Sequence, residues 1–155
     1  MAKLTGSKKA RATSARLFAV QAVYQAIQLG VSPSTLAGEY LEHNVGMNLE
    51  GNDFGGAEMV SPDGHLFKSI LAGVSSRADD IQAVLQQRVK PESQPESLLP
   101  AILVCGIYEI LAHQDIDAPI IISDYLNIAH GFYEGAESKL VNAVLDTTAK
   151  NIRIP

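Results

Sequence analysis

A segment in the second half of the chain, from Leu98 to His113, is apolar on nearly every side of a helix. Its hydrophobic residues are Leu99, Ile102, Leu103, Val104, Cys105, Ile107, Ile110 and Leu111. A surface helix of a globular protein carries one apolar stripe, whereas a helix that is hydrophobic all round must be covered by neighbours. The segment therefore predicts a central helix with other helices packed around it.

The N-terminal part of the chain has the periodicity of a helix. An apolar stripe at helical spacing runs through residues 10–29 and consists of Leu17, Val20, Tyr24 and Ile27. Gly30 is expected to end this helix, because glycine readily adopts the left-handed conformation of a helix C-cap. Ser32 followed by Pro33 then predicts a short helix toward His43, since proline is favoured in a first helical turn.

Three more helices are predicted after residue 60. Ser61-Pro62-Asp63 is expected to begin one long helix to about residue 87, with a bend near Ser75 and Ser76. Pro119 leads a further helix that stops near residues 133–135, and the last helix covers residues 136–151. Six or seven helices joined by short loops predict an all-α, single-domain bundle.

Two stretches have the composition of connecting segments. Residues 44–60 contain four glycines among polar residues and show no sustained periodicity, which predicts a flexible loop. Residues 89–97 are rich in proline and serine and predict a linker between two helices. No internal repeat is present, so we expect an N-terminal arm over residues 1–9 and one helical domain over residues 10–155.

The charge of the chain is unevenly distributed. The first 38 residues contain no acidic residue and five cations, namely Lys3, Lys8, Lys9, Arg11 and Arg16. Because the whole chain has a formal net charge of -5, the remainder sums to -10. The amide dipoles already make a helix N-terminus electropositive, so cations there favour a polyanion-binding patch over a merely solubilising tail. Lys8, Lys9, Arg11 and Arg16 are the predicted phosphate contacts.

The sequence contains little that indicates enzyme chemistry. The four histidines are scattered and the only cysteine is Cys105, so no catalytic set, metal site or cofactor is predicted. Glu109, in the otherwise apolar central segment, is interpreted as a buried carboxylate that partners a buried donor. No apolar run is long enough to span a bilayer and no secretory signal is visible, so a cytoplasmic protein without a membrane partner is expected.

Three segments resemble those of the NusB family of bacterial transcription antitermination factors. They are "ARLFAVQAVYQ" over residues 15–25, "LLPAILVCGIYEI" over residues 98–110, and "APIIISDYLNIAHGFYEGAESKLVNAVLD" over residues 118–146. The resemblance implies an all-helical, non-enzymatic RNA-binding protein. It also implies that the protein pairs with the ribosomal protein NusE on single-stranded boxA RNA of ribosomal RNA leaders, within an RNA polymerase antitermination complex.

The resemblance also assigns roles to individual residues. RNA contacts are implied for Arg16, which precedes the "AVQAVY" segment, and for Phe132 and Lys139 in the C-terminal helix pair. Asn142 and Asp146, in "VNAVLD", are interpreted as structural, because an Asn inside a helix is a poor helix former that normally hydrogen-bonds a neighbouring element.

Two aromatic residues of the first helix are interpreted from the helical wheel. Phe18 lies within about 20° of Arg11 and away from the apolar stripe. It is therefore either an exposed ring on which an RNA base stacks or a ring packed against a second helix. Tyr24 lies on the stripe, and its ring is interpreted as part of the core.

Two alternatives to an RNA-binding antitermination factor remain open at the level of the sequence. One is a helical protein-interaction module, for instance a homodimer, that has lost RNA binding, since Val104 stands where many relatives have an arginine. The other is an accessory RNA-binding domain related to those of ribosomal RNA cytosine methyltransferases, whose large catalytic domain is not expected within 155 residues.

Overall fold

The computed structural model describes residues 7–40, 62–88 and 98–153, and all regular structure in these ranges is helical. The helices are α1 (Lys8–Leu29), α2 (Ala37–Glu39), α3 (Gly64–Ser76), α4 (Ala78–Arg88), α5 (Leu99–Ala112), α6 (Ala118–Phe132) and α7 (Ala136–Ile152), with a 3-10 turn over Pro33–Leu36. The predicted all-α fold is confirmed. The predicted loop 44–60 and linker 89–97 lie outside the described residues.

Helix α5 lies at the centre of the fold. Every residue from Ala101 to Ile110 is buried, as expected for a helix that is apolar all round. Helices α1, α3, α4, α6 and α7 all pack against it. The predicted central helix is therefore confirmed, and any polar side chain that it carries must find its partners on the surrounding helices.

The buried face of α1 differs from the predicted stripe. It is built on four alanines that are at most 1% exposed, namely Ala15, Ala19, Ala22 and Ala26. Leu17 and Tyr24 are only partly buried at the edge of the core, and Ile27 is exposed. The predicted stripe is correct for Val20, which is fully buried, but it missed Phe18 and the alanines. Small alanine side chains let neighbouring helices lie close to α1.

The ends of α1 are capped by its flanking residues. The hydroxyl of Ser7 accepts a hydrogen bond from the amide of Ala10, 3.1 Å away. Gly30 adopts a left-handed conformation with φ of 70°, and its N–H reaches the carbonyls of the last turn. The predicted end of α1 at Gly30 is confirmed.

The predicted long helix after residue 60 is two helices. Asp63 provides the N-cap of α3 by accepting from the amide of Leu66, and Arg77 leaves the helical conformation between α3 and α4. The hydroxyls of Ser75 and Ser76 donate to carbonyls of the preceding turn. Serine hydroxyls that compete for backbone groups weaken a helix, which explains why the chain breaks here.

Candidate nucleic-acid interface

The first turn of α1 presents two lysines to solvent. Lys8 and Lys9 are exposed, and no carboxylate of residues 7–40, 62–88 or 98–153 pairs with either of them. Arg11 follows on the next turn and is partly buried, and its Nε is enclosed without a hydrogen-bond partner among these residues. Lys3 lies outside the described residues. This turn adds outward-facing charge to the electropositive end of the helix dipole.

Arg16, by contrast, lies in the core and is 3% exposed. Its Nε and Nη2 donate to the two carboxylate oxygens of Glu109 over 2.7 and 3.0 Å. Its Nη1 donates to Oδ2 of Asp124 over 2.7 Å. The guanidinium is therefore neutralised by two carboxylates on α5 and α6, and the prediction that it contacts RNA phosphates conflicts with its burial.

Glu109 is the acceptor on which most of these buried donors converge. It is 0% exposed and also accepts from the hydroxyl of Tyr125 at 2.5 Å and from Nδ1 of His113 at 2.9 Å. Burial by itself would raise the pKa of Glu109, but the hydrogen bonds of His113 and Arg16 and the charge of Arg16 outweigh it and lower that pKa. Because an ionised carboxylate only accepts, Nδ1 of His113 carries the hydrogen, and its Nε2 faces the hydroxyl of Ser69 on α3 at 3.2 Å.

Arg16 and Tyr125, which both contact Glu109, have raised pKa values. Burial would lower the pKa of Arg16, but the hydrogen bond and charge of Glu109 raise it. Burial and the nearby charge of Glu109 raise the pKa of Tyr125 well above its ordinary value. Arg16 is therefore charged and Tyr125 is neutral, so that each donates to the Glu109 carboxylate.

Asp124 completes the buried network and was not singled out from the sequence. It is buried on α6 and accepts from Arg16 and from the hydroxyl of Thr13, which is 2.9 Å from Oδ1 and 3.1 Å from Oδ2. Asp124 lies at helical spacing from Ile121 and Ile128, which are buried on the same face of α6. This spacing in the sequence indicates that Asp124 is buried. An acidic residue at a core position of an amphipathic helix indicates a buried cationic or hydrogen-bonding partner.

The aromatic candidates lie in different environments. Phe18 is 2% exposed and belongs to the core, so of its two predicted environments the packed one is correct and the exposed stacking ring is wrong. The helical wheel placed it away from the large apolar residues, but the true buried face of α1 includes it. Phe132, the last residue of α6, is 45% exposed, and Lys139 is exposed near the start of α7. Phe132 and Lys139 are thus accessible to a ligand.

The residues interpreted as structural also differ among themselves. The ring of Tyr24 packs against the edge of the core. Asn142 is exposed on α7, so the interpretation that it bonds a neighbouring helix is wrong: it lies off the buried face that contains Val141, Val144 and Leu145. Asp146 pairs with Lys150 of its own helix at 3.0 Å, close to solvent.

Two kinds of site have no counterpart in the described ranges. Within residues 7–40, 62–88 and 98–153, no group of three or more His, Cys, Asp or Glu side chains is arranged to hold a metal ion. Across the same part of the chain, no helix combines the length and apolar character that crossing a membrane requires.

Comparisons with known proteins identify the family of the chain. The sequence model of the NusB family matches residues 13–150. The chain belongs to the NusB family. Transcription antitermination protein NusB of Bartonella quintana is 37% identical over 91% of this chain and 89% of its own length. The protein of the same name from Novosphingobium aromaticivorans is 35% identical over 95% of this chain and 97% of its own length.

A solved structure supports the NusB fold of the chain. The Thermotoga maritima NusB structure superposes with a TM-score of 0.70 and covers 94% of this chain and 93% of its own. Its sequence identity is 18%, so the match concerns the fold alone. Both relatives are named as transcription antitermination proteins, in agreement with the non-enzymatic function expected from the sequence.

Arg16 should contribute strongly to the stability of this NusB-family protein. A surface cation, as which Arg16 is predicted from the sequence, could be removed with little effect on the free energy of unfolding. Because Arg16→Ala leaves two buried carboxylates with a shared partner missing, we expect the free energy of unfolding to fall by about 3–5 kcal/mol. Urea denaturation measures the change. Arg77→Ala, which removes an exposed ion pair with Asp80, is the matched control and should lose less than about 1 kcal/mol. An equally small loss for Arg16→Ala would contradict the buried network.

Proposed function

We propose that this chain is an RNA-binding transcription antitermination factor that pairs with the ribosomal protein NusE on single-stranded boxA RNA of ribosomal RNA leaders. The observation that carries the RNA-binding part is the exposed first turn of α1, where Lys8 and Lys9 face solvent. Membership in the NusB family supports antitermination. The pairing with NusE and the preference for boxA rest on the family resemblance.

The proposed RNA interface has two parts, which supply different interactions. Lys8, Lys9 and Arg11 contribute positive charge from α1, which attracts the phosphates of any RNA sequence. Phe132 offers a half-exposed ring on which an unpaired base stacks, with Lys139 on the following helix. We propose that Lys8 and Lys9 belong to a basic arm of residues 1–9 and that residues 10–155 form the RNA-binding domain.

The two parts are connected through the packing of α1 on α6. Thr13 and Arg16 of α1 both contact Asp124, and Phe132 follows eight residues later on α6. At about 1.5 Å per helical residue, this places Phe132 roughly 12 Å from Asp124 along the axis of α6. We propose that one single strand of RNA contacts both α1 and the end of α6.

The burial of Arg16 lowers the number of phosphate contacts that we expect, and with it the salt dependence of RNA binding. The sequence suggests four phosphate contacts, but Arg16 is held by Glu109 and Asp124. Three cations remain on the described part of α1. Each phosphate contact of a single strand contributes about 0.7 to the slope of log affinity against log salt, so these three contribute a slope of about -2.

Replacement of Lys8, Lys9 and Arg11 by alanine should weaken binding of a boxA-like RNA. It should also remove the contribution of these three residues to the slope of log affinity against log salt. The weakening should be similar for unrelated single-stranded RNAs, because phosphate contacts carry no sequence information. Fluorescence anisotropy at several salt concentrations measures both effects. Lys68→Ala, which removes an exposed lysine on α3, is the control. Wild-type affinity and slope in the triple variant would contradict the proposed interface.

Phe132→Ala should behave differently from the charge variants. If a base stacks on the ring, binding should weaken by about 1–3 kcal/mol while the salt slope stays that of the wild type. A change in slope without a loss of affinity at low salt would assign Phe132 no stacking role.

The partnership with NusE should be visible in the same titration. A mixture of the chain and NusE should bind boxA-like RNA more tightly than the chain alone, because the complex offers more contacts to one strand. Sedimentation of the two proteins without RNA provides the second readout. If NusE neither co-sediments with the chain nor raises its RNA affinity, the proposed partnership with NusE is contradicted.

A further inference from the structure

The carboxylate of Asp124 joins α6 to two successive turns of α1. Its Oδ1 accepts from the hydroxyl of Thr13 over 2.9 Å, and its Oδ2 accepts from Nη1 of Arg16 over 2.7 Å. The two donors are three residues apart and therefore lie on the same side of α1. One buried side chain of α6 thus fixes both the rotation and the position of the start of α1.

The start of α1 has few apolar contacts of its own. Residues 7–9 are exposed, residues 10–14 are only partly buried, and fully buried residues begin at Ala15. The carbonyl of Arg11 accepts from the amide of Asp63 at 3.0 Å, which attaches the same turn to the start of α3. Because helix ends fray readily, polar contacts of this kind decide where Lys8, Lys9 and Arg11 are held.

We propose that Asp124 is a positioning residue for RNA binding, which holds the basic first turns of α1 at a fixed place beside α6. The inference rests on the proposed RNA-binding function. Asp124 touches no RNA in this arrangement, since its carboxylate is buried and both of its oxygens are used by Thr13 and Arg16. It reduces the loss of conformational freedom that ordering the α1 cations on RNA would otherwise require.

Electrostatics and positioning predict opposite signs for the loss of this carboxylate. A negative charge close to bound phosphates repels them, so charge alone predicts that removing Asp124 tightens RNA binding. Positioning predicts that the same change weakens binding, because the start of α1 is released. The sign of the effect therefore separates the two roles.

The test compares Asp124→Asn and Thr13→Val with two matched variants. Asp124→Asn removes the charge at constant shape and should weaken binding of a boxA-like single-stranded RNA by about three- to tenfold. Thr13→Val removes only the hydroxyl and should also weaken it, whereas Thr13→Ser keeps the hydroxyl and should bind like the wild type. Asp79→Asn, an equal charge change on the exposed face of α4, should leave the affinity unchanged or slightly tighter.

Two further readouts distinguish positioning from a general loss of structure. Amide hydrogen exchange of residues 12–14 should accelerate in Asp124→Asn, while the amides of α5 keep their protection. In a protein that already carries Lys8→Ala, Lys9→Ala and Arg11→Ala, adding Asp124→Asn should have no further effect on RNA affinity, because there are no longer cations for it to position. Should Asp124→Asn fail to fold, the pair Thr13→Val and Thr13→Ser gives the same comparison.

Each result supports or overturns the inference. Wild-type or tighter binding by both Asp124→Asn and Thr13→Val, in a wild-type protein that does bind the RNA, overturns the positioning role and leaves the proposed function intact. Equal losses in the wild-type and the triple-alanine background also overturn it, since Asp124 would then act independently of the arm. If the wild-type protein does not bind the RNA, the proposed function fails and this inference fails with it.

Discussion

One guanidinium, that of Arg16, is shared by carboxylates on two other helices, and the packing of α1, α5 and α6 depends on where it lies. Glu109 and Asp124 together carry one negative charge more than Arg16 neutralises. The hydroxyls of Tyr125 and Thr13 and a ring nitrogen of His113 supply the remaining hydrogen bonds to them. Buried ions are tolerated only when such partners are complete, so the helices that carry the partners have to keep their relative positions.

The buried network separates the cations of α1 into two groups with different roles. Arg16 faces inward and its charge is used within the protein, whereas Lys8 and Lys9 face outward. Among the cations of α1, the carboxylates of Asp124 and Glu109 account for Arg16, because both contact its guanidinium. The sequence suggested that the cations of α1 bind a polyanion. Arg16 instead binds carboxylates of the protein itself, and only the outward-facing cations remain for RNA.

Much of the fold could be predicted because it follows from patterns within single segments. The all-round apolar character of residues 98–113 indicated the central helix, and Gly30 marked the end of α1. The buried face of α1 could not be read in this way, because hydrophobic periodicity gives weight to large residues such as Ile27, while the packing uses the small side chains of Ala15 and Ala22. Ser75 and Ser76 indicated a bend where α3 ends, but the continuous apolar stripe did not show that the helix stops there.

Two features of the candidate site could be predicted from the sequence, namely its exposed lysines and the buried Glu109. Lys8 and Lys9 stood out by charge alone, and the burial of Glu109 followed from its apolar neighbours. The environment of Arg16 depended on Asp124, more than 100 residues away in sequence, and no local pattern connects the two. The resemblance to a family implies a role for a residue, but the neighbours of that residue in space decide whether its side chain reaches solvent.

The most direct test of the buried Arg16 network is a nuclear magnetic resonance measurement on the arginine side chains. We expect the Nε–H signal of Arg16 to exchange slowly with water and to stay unchanged when a boxA-like RNA is added, because Glu109 holds that group in the core. The half-exposed side chain of Arg77 provides the fast-exchanging reference. An Arg16 signal that exchanges as fast as that of Arg77, or that shifts when RNA binds, would contradict the account and return Arg16 to the RNA interface.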